Sequence, residues 1–286
     1  MVQAARWRSG GRKPSVASPM LVLPLVVFLL IFFVYPVGAM LLRSIEPGTW
    51  SLAAYRDLLA SGVFWRVMQI TLEVALIVTA CCLLLAYPLA LWLARLPQEV
   101  ANFALILVLV PFWTSVLVRS YAWMALLERH GIVNNLLVGL GLLDTPVKLL
   151  NTRLAVCLAM THVLLAFMVL PIYASLRSLD WRLVRAAQSL GATPWGALRQ
   201  VVLPLSRPGI GAGVTLVFTL AIGFYITPVL VGASSDVMIS LLINDEVGQL
   251  AWPSASAMAA VLLVLVLLVT TALARLAGAR AVPGTI

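Results

Sequence analysis

Long apolar stretches alternate with short polar segments along the chain. A helix rises about 1.5 Å per residue, so about 20 residues cross the roughly 30 Å hydrocarbon core of a bilayer. The stretches are too long for β-barrel strands and lack their alternation of apolar and polar residues. The pattern predicts an all-α membrane protein with six transmembrane helices. The predicted spans are Met20–Leu42, Val67–Ala94, Ala101–Leu127, Leu154–Leu176, Gly209–Val231 and Ala255–Ala274.

The composition agrees with this pattern. Of the 286 residues, 63% are apolar and 10% are charged, whereas a soluble domain has about 25% charged residues. The mean hydropathy of +1.07 leaves too little polar surface for a water-facing globule. We therefore exclude an ordinary soluble enzyme and a disordered chain. The net charge of +9 is better explained by basic cytoplasmic loops than by binding to nucleic acid.

The basic residues also predict the orientation of the helices. With the N-terminus inside, the inner segments carry about twice as many lysines and arginines as the outer ones, which is typical of cytoplasmic loops. We predict that both termini are cytoplasmic. The expected parts are a basic segment at 1–19, a membrane domain at 20–277 with an inner loop at 177–208, and a tail at 278–286. The stretch that starts at Met20 exceeds the roughly 7–15 apolar residues of a cleaved signal peptide, so we expect it to remain as a span.

The loop between the fourth and fifth spans is the longest on the inner side. Asp180 is a suitable N-cap for a short helix, and Gly191 is a suitable left-handed residue to end it. Thr193 is a second N-cap, and Pro194 follows at the first helical position. Pro204 is expected to end this second helix. The pattern predicts two short helices around a glycine turn, which lie either against a partner protein or on lipid headgroups.

This loop resembles the EAA motif of the permease subunits of binding-protein-dependent ABC importers. The motif has Glu-Ala-Ala, then Gly, then a hydrophobic residue with Leu-Pro; the matching positions are Arg185-Ala186-Ala187, Gly191 and Val202-Leu203-Pro204. The resemblance implies that the short helix after the glycine docks on an ATPase. Arg185 stands where the family has Glu, so an acidic contact or cap there is lost or reversed in sign. The residues that the resemblance assigns to ATPase coupling are Arg185, Ala186, Ala187, Gly191, Ala192, Thr193, Pro194, Trp195 and Gly196.

The resemblance covers nearly the whole chain after residue 20. PFWTSVLVRSYAW (Pro111–Trp123), FMVLPIYASL (Phe167–Leu176) and GFYITPVLVG (Gly223–Gly232) are similar to the branch that serves spermidine and putrescine importers. The resemblance implies a type I ABC importer permease fold in the bacterial inner membrane. It implies import of a polyamine or related small amine by alternating access. The implied partners are an ABC ATPase dimer, a second permease subunit in a heterodimer, a periplasmic solute-binding protein and membrane lipid.

Nucleotide chemistry is not expected of the chain itself. Its two lysines, Lys13 and Lys148, do not follow a glycine, so the sequence has no phosphate-binding G-x-x-x-x-G-K-[ST] loop. ATP and magnesium are therefore expected on the partner ATPase. We predict a transport subunit that is not an enzyme and that binds no cofactor or metal.

Glu73 and Arg119 are the two charged residues inside the predicted spans. Charges in a bilayer are costly and normally face a protein interior or water. The two residues lie at similar predicted depth, so they either pair with each other or contact the solute. Trp113, Tyr121 and Tyr225 are candidates to line the pathway with them, since aromatic faces attract amine cations; they equally fit an interfacial belt.

A secondary transporter driven by an ion gradient is the alternative function. It needs several ionisable residues at mid-membrane, and the predicted spans contain two. A membrane-embedded enzyme is a further alternative, but the sequence contains neither G-x-S-x-G nor H-E-x-x-H. The dependence of uptake on a separate ATPase distinguishes these functions.

Overall fold

The computed structural model of the protein describes residues 17–45 and 51–276. The predicted tail at 278–286 lies outside the described residues, and so do residues 1–16 of the predicted basic segment at 1–19. The described residues form α-helices with π-helical turns at Leu30–Val34 and Leu198–Val202. The α-helices are α1 (Ala17–Leu29), α2 (Tyr35–Arg43), α3 (Ala53–Ala60), α4 (Gly62–Arg95), α5 (Gln98–Trp113), α6 (Val116–Leu127), α7 (Ile132–Gly139), α8 (Arg153–Arg177), α9 (Trp181–Ser189), α10 (Pro194–Ala197), α11 (Leu203–Ile222), α12 (Ile226–Val231), α13 (Ile239–Gly248) and α14 (Trp252–Leu276).

Five helical runs are long and apolar enough to cross a bilayer, and each overlaps a predicted span. They are Val22–Arg43, Gly62–Arg95, Arg153–Arg177, Pro194–Ile222 and Trp252–Leu273. The first run exposes large apolar side chains such as Phe32 and Phe33. Apolar exposure on this scale is typical of a helix whose neighbours are lipid or another chain.

The predicted span Ala101–Leu127 is not one straight helix. The segments Gln98–Trp113 and Val116–Gly139 are bent by 91°, and counting them as one span gives six. Thr114 and the residue after it have extended backbone angles. The Thr114 hydroxyl donates a 2.8 Å hydrogen bond to the Pro111 carbonyl and so caps the end of α5. Two extended residues suffice for the bend, and they are the polar pair Thr114 and Ser115, which follow Pro111 in the sequence.

The prediction for the fifth span, Gly209–Val231, was wrong at both ends. The spanning helix runs from Pro194 to Ile222 and therefore includes the second short helix of the loop. A break follows before α12 begins at Ile226. The second helix of the loop does not end at Pro204 as predicted, because it continues directly into the membrane.

A π-helical turn allows this continuity. The Leu203 N–H bonds to the Leu198 carbonyl, five residues earlier, and this wider turn precedes Pro204. In a regular α-helix the proline ring would clash with the carbonyl four residues before it, and a π turn relieves that crowding. The first membrane helix has the same arrangement, with the π turn Leu30–Val34 ahead of Pro36.

The core lies where α4, α8 and α11 pack against one another. One face of α4 buries small residues at helical spacing, and α8 buries longer ones. These core residues are Ala75, Val78, Cys82, Ala86 and Ala90 of α4 and Met160, Leu164, Met168, Ile172 and Leu176 of α8. A Cβ on Gly209 of α11 would stand 2.7 Å from the Pro171 carbonyl oxygen, and one on Gly213 would stand 2.8 Å from the Met168 sulfur. Such close packing is typical of a G-x-x-x-G step between membrane helices.

Candidate functional sites

The first helix of the loop begins and ends as the sequence predicts. The Asp180 carboxylate accepts a 2.9 Å hydrogen bond from the Arg182 N–H at the start of α9. At the other end Gly191 has a φ of 91°. The Gly191 N–H bonds to the Gln188 carbonyl and the Ala192 N–H to the Ala187 carbonyl, each at 3.0 Å. This is the Schellman arrangement that glycine favours.

The second helix of the loop is continuous with a membrane-spanning helix. Thr193 Oγ1 accepts a 3.1 Å hydrogen bond from the Gly196 N–H, with Pro194 at the first helical position. α10 then passes through the π turn into α11 without a break. α10 is therefore continuous with a helix whose residues Val217 and Ile222 are buried in the core.

The surface formed by α9, the glycine turn and α10, here called the loop surface, is largely exposed. The exposed fractions are 89% for Leu190, 72% for Trp195 and 50% for Leu183. Large apolar side chains that do not contribute to the chain's own core are typical of contact surfaces, and tryptophan is a frequent anchor. Of the other predicted coupling residues, Arg185, Ala186, Gly191, Thr193 and Pro194 are exposed, and Ala187, Ala192 and Gly196 are half-buried.

Two arginines attach the loop to α4. Arg177 Nη1 donates to the carbonyls of Ala94 and Leu96, each at 3.0 Å, and so satisfies the C-terminal end of α4. The Arg95 guanidinium lies 5.5 Å from the ring centroid of Trp181 at the start of α9. A cavity of about 590 Å³ lies between these elements. Sequence reasoning missed both arginines, although each is the last residue of a spanning helix, where a cation is favoured.

Glu73 pairs with Arg153 and not with Arg119. Arg153 Nη1 lies 2.7 Å from Glu73 Oε2, and Arg153 Nη2 lies 2.8 Å from Asp236 Oδ1. Gln69 donates a further 2.8 Å hydrogen bond to Glu73. This triad joins α4, the start of α8 and the segment between α12 and α13. The Glu73–Arg119 pair, one of the two alternatives that the sequence left open, is therefore not formed, since a cation at a helix terminus takes the carboxylate.

Arg119 has no carboxylate within 4.0 Å in the part of the chain that the structure describes. Its Nε is buried and has no hydrogen-bond partner there. The helix around it is firmly held. Ser120 Oγ lies 2.9 Å from Thr227 Oγ1 of α12, and Trp123 Nε1 donates a 3.3 Å hydrogen bond to His162 Nδ1 of α8. The residue is thus fixed in position while its own charge is unmatched.

The other predicted pathway residues lie around the bend between α5 and α6. Trp113, the last residue of α5, is 84% exposed, and Tyr121 of α6 is 57% exposed. Tyr225 is half-buried and precedes α12, which packs against α6. The structure places Arg119 and Tyr121 on the same short helix. Glu73 lies on α4 instead, where it is part of the triad with Arg153 and Asp236.

A family model described as "Binding-protein-dependent transport system inner membrane component" matches residues 86–282. The chain belongs to this family of permeases. The permease is 37% identical over 200 residues to the spermidine/putrescine transport system permease protein PotB of Escherichia coli (strain K12), with 70% of this chain and 73% of PotB covered. PotB of Salmonella typhimurium (strain SL1344) is 36% identical over 200 residues, with 70% of each chain covered.

A solved structure supports the same fold. A bacterial alginate ABC transporter in complex with an alginate pentasaccharide-bound periplasmic protein contains a chain with a TM-score of 0.74 and 20% identity to the permease. The match covers 94% of this chain and 96% of that one. The permease is therefore a multi-pass inner-membrane subunit of an ABC importer with the type I fold. This result confirms the family resemblance and favours the importer over an ion-driven transporter.

Proposed function

We propose that the permease moves a small organic amine of the polyamine class from the periplasm to the cytoplasm by alternating access. The proposal rests on the match to permeases named for spermidine and putrescine, which extends over at least 70% of both chains. Both termini are cytoplasmic in this proposal, as the excess of lysine and arginine in the inner segments favours. The loop surface then faces the cytoplasm, and the Glu73–Arg153–Asp236 triad faces the periplasm.

The loop surface is the docking site of an ABC ATPase dimer in this proposal. The observation that carries it is the continuity of α10 with α11, because a push on the exposed helix moves a spanning helix without a flexible joint. Trp195 provides the apolar anchor for a pocket on the ATPase. Gly191 sets the angle between α9 and α10. ATP and magnesium are held by the ATPase, and the permease is a transport subunit without cofactor or ATPase activity.

Two further partners complete the importer. A second permease subunit forms a heterodimer with this chain, because six spans enclose little space alone and several apolar faces are exposed. A periplasmic solute-binding protein delivers the amine to the opposite face. Trp113, Arg119, Tyr121 and Tyr225 lie near the route, and Glu73 acts there through the triad.

Transport in vesicles tests this function. The permease is reconstituted with its ATPase and second permease, and spermidine uptake is measured with its binding protein outside and ATP inside. We expect uptake with ATP and none with a non-hydrolysable analogue or in vesicles that lack the ATPase. Uptake that continues without nucleotide while an ion gradient persists would support secondary transport instead.

A further inference from the structure

The Arg119 guanidinium is a charge without a partner inside the membrane domain. Its Nε is buried, and among the described residues it finds neither a hydrogen-bond acceptor nor a carboxylate. A buried donor without an acceptor is destabilising, and more so when it is charged. Ionisable residues in membrane segments are normally paired. The acceptor for Arg119 is therefore to be sought on another molecule.

Water in the route can hydrate this charge but cannot neutralise it. Three other candidates can reach a residue at this position, and two of them lack the required chemistry. Lipid tails contain no hydrogen-bond acceptor. A polyamine carries only positive charge, so an unpaired arginine would repel it. A neighbouring membrane subunit, in contrast, can supply a carboxylate, which forms short charge-assisted hydrogen bonds with a guanidinium.

The surroundings of Arg119 fit a protein contact. Trp113 at the bend and Val118 and Tyr121 on α6 have exposed fractions of 84%, 63% and 57%, so an uncovered apolar face borders the charge. Buried contact surfaces combine aromatic side chains with arginine in this way. The Ser120–Thr227 and Trp123–His162 hydrogen bonds hold α6 against α12 and α8, so the backbone that carries Arg119 is positioned before the partner arrives.

We propose that the bent α5–α6 corner contacts the second permease subunit, which places an Asp or Glu carboxylate against Arg119. The pair neutralises the arginine beside the route of a cationic solute. This inference rests on the proposed function in requiring a second permease. It adds the contact surface and the chemistry of the group that occupies it.

Recovery of the assembled importer tests the pairing. The complete importer is expressed with an affinity tag on the second permease, and the untagged permease recovered with it is quantified at equal membrane content. We expect Arg119→Gln to lower recovery at least fivefold and Arg119→Lys to lower it less than twofold. Arg66→Gln, which neutralises an exposed arginine at the start of α4, serves as the matched control and should not change recovery.

Neutralising the acidic residues in the spans of the second permease, one at a time, then identifies the partner. One such variant should lower recovery of the wild-type chain and restore that of Arg119→Gln to within twofold, because removing both charges leaves none uncompensated. Unchanged recovery of Arg119→Gln would overturn the proposal. An equal loss of recovery in a Glu46→Gln variant would also overturn the proposal. Glu46 is the acidic residue outside the described ranges, and such a loss would indicate that it pairs with Arg119 within the same chain.

Two controls separate other causes of failure. The Arg119→Gln chain expressed alone should melt no lower than the wild type, since the change removes an unpaired charge, and a fall that accounts for the lost recovery would overturn the pairing. If the wild-type chain itself is not recovered with the second permease, the proposed function fails rather than the pairing.

Discussion

Arg153 at the first position of α8 donates a 2.7 Å hydrogen bond to Glu73 in the middle of α4. An arginine at a helix N-terminus is unfavourable because the helix dipole is positive there. The carboxylates of Glu73 and Asp236 offset that cost and also tie three segments together. The end of the core opposite the loop surface is therefore held by charges, whereas its centre is held by close packing of α4, α8 and α11.

Removing this arginine should loosen that end. We expect Arg153→Gln to destabilise the permease by about 1–2 kcal/mol, a value that allows for the 38% and 40% exposure of the Arg153 and Glu73 side chains. The melting temperature in detergent should fall by about 2–6 °C. Glu73→Gln added to Arg153→Gln should cost less than the sum of the two single changes, because both remove the same pair.

A surface ion pair provides the control for this prediction. Arg56 and Asp57 are 3.7 Å apart with side chains 86% and 73% exposed, so Arg56→Gln should leave the melting temperature unchanged. An equal fall in melting temperature in Arg153→Gln and Arg56→Gln would show that the triad contributes nothing beyond net charge.

The close approach of α11 to α8 predicts a second effect. A methyl group on Gly213 would stand 2.8 Å from the Met168 sulfur and 3.3 Å from the Met168 carbonyl oxygen. We expect Gly213→Ala to destabilise the permease by about 1–3 kcal/mol through overpacking. Beyond the backbone of its own helix, no described atom lies within 4 Å of a Cβ added at Gly38 in α2, so Gly38→Ala should stabilise by about 0.5–1 kcal/mol. Thermal melting of both variants measures the difference, and a neutral Gly213→Ala would refute the tight contact.

Much of the architecture was predictable because local rules determine it. Span composition located five of the membrane helices, and capping chemistry located α9 and α10 through Asp180, Gly191 and Thr193. Pro111 and the polar pair Thr114 and Ser115 mark an interruption of the third span, but they do not distinguish a kink from a break of 91°. The partner of Glu73 was missed because Arg153 and Asp236 were assigned to loops, and sequence spacing does not place loops in space.

Gly191 provides a test that separates backbone strain from lost contacts. Apart from its two chain neighbours, no residue in the described part of the chain has an atom within 4 Å of a Cβ added there, yet its φ is 91°, so substitution acts through the backbone. A β-branched residue in a left-handed conformation costs about 1–2 kcal/mol, whereas asparagine tolerates it. We expect Gly191→Val to lower the solute imported per ATP hydrolysed severalfold and Gly191→Asn to retain most of the coupling. Equal coupling in both variants would show that the turn does not set the angle of α10.

The central claim is that α10 conveys the action of an ATPase to α11. Replacing Trp195 and measuring uptake tests this claim most directly. Trp195→Ala should leave the melting temperature unchanged, because the side chain is 72% exposed, while ATP-driven spermidine uptake into vesicles falls at least tenfold. Trp92→Ala, which removes a 55% exposed tryptophan from α4, should retain uptake. A wild-type rate of ATP-driven uptake in Trp195→Ala vesicles would contradict the account.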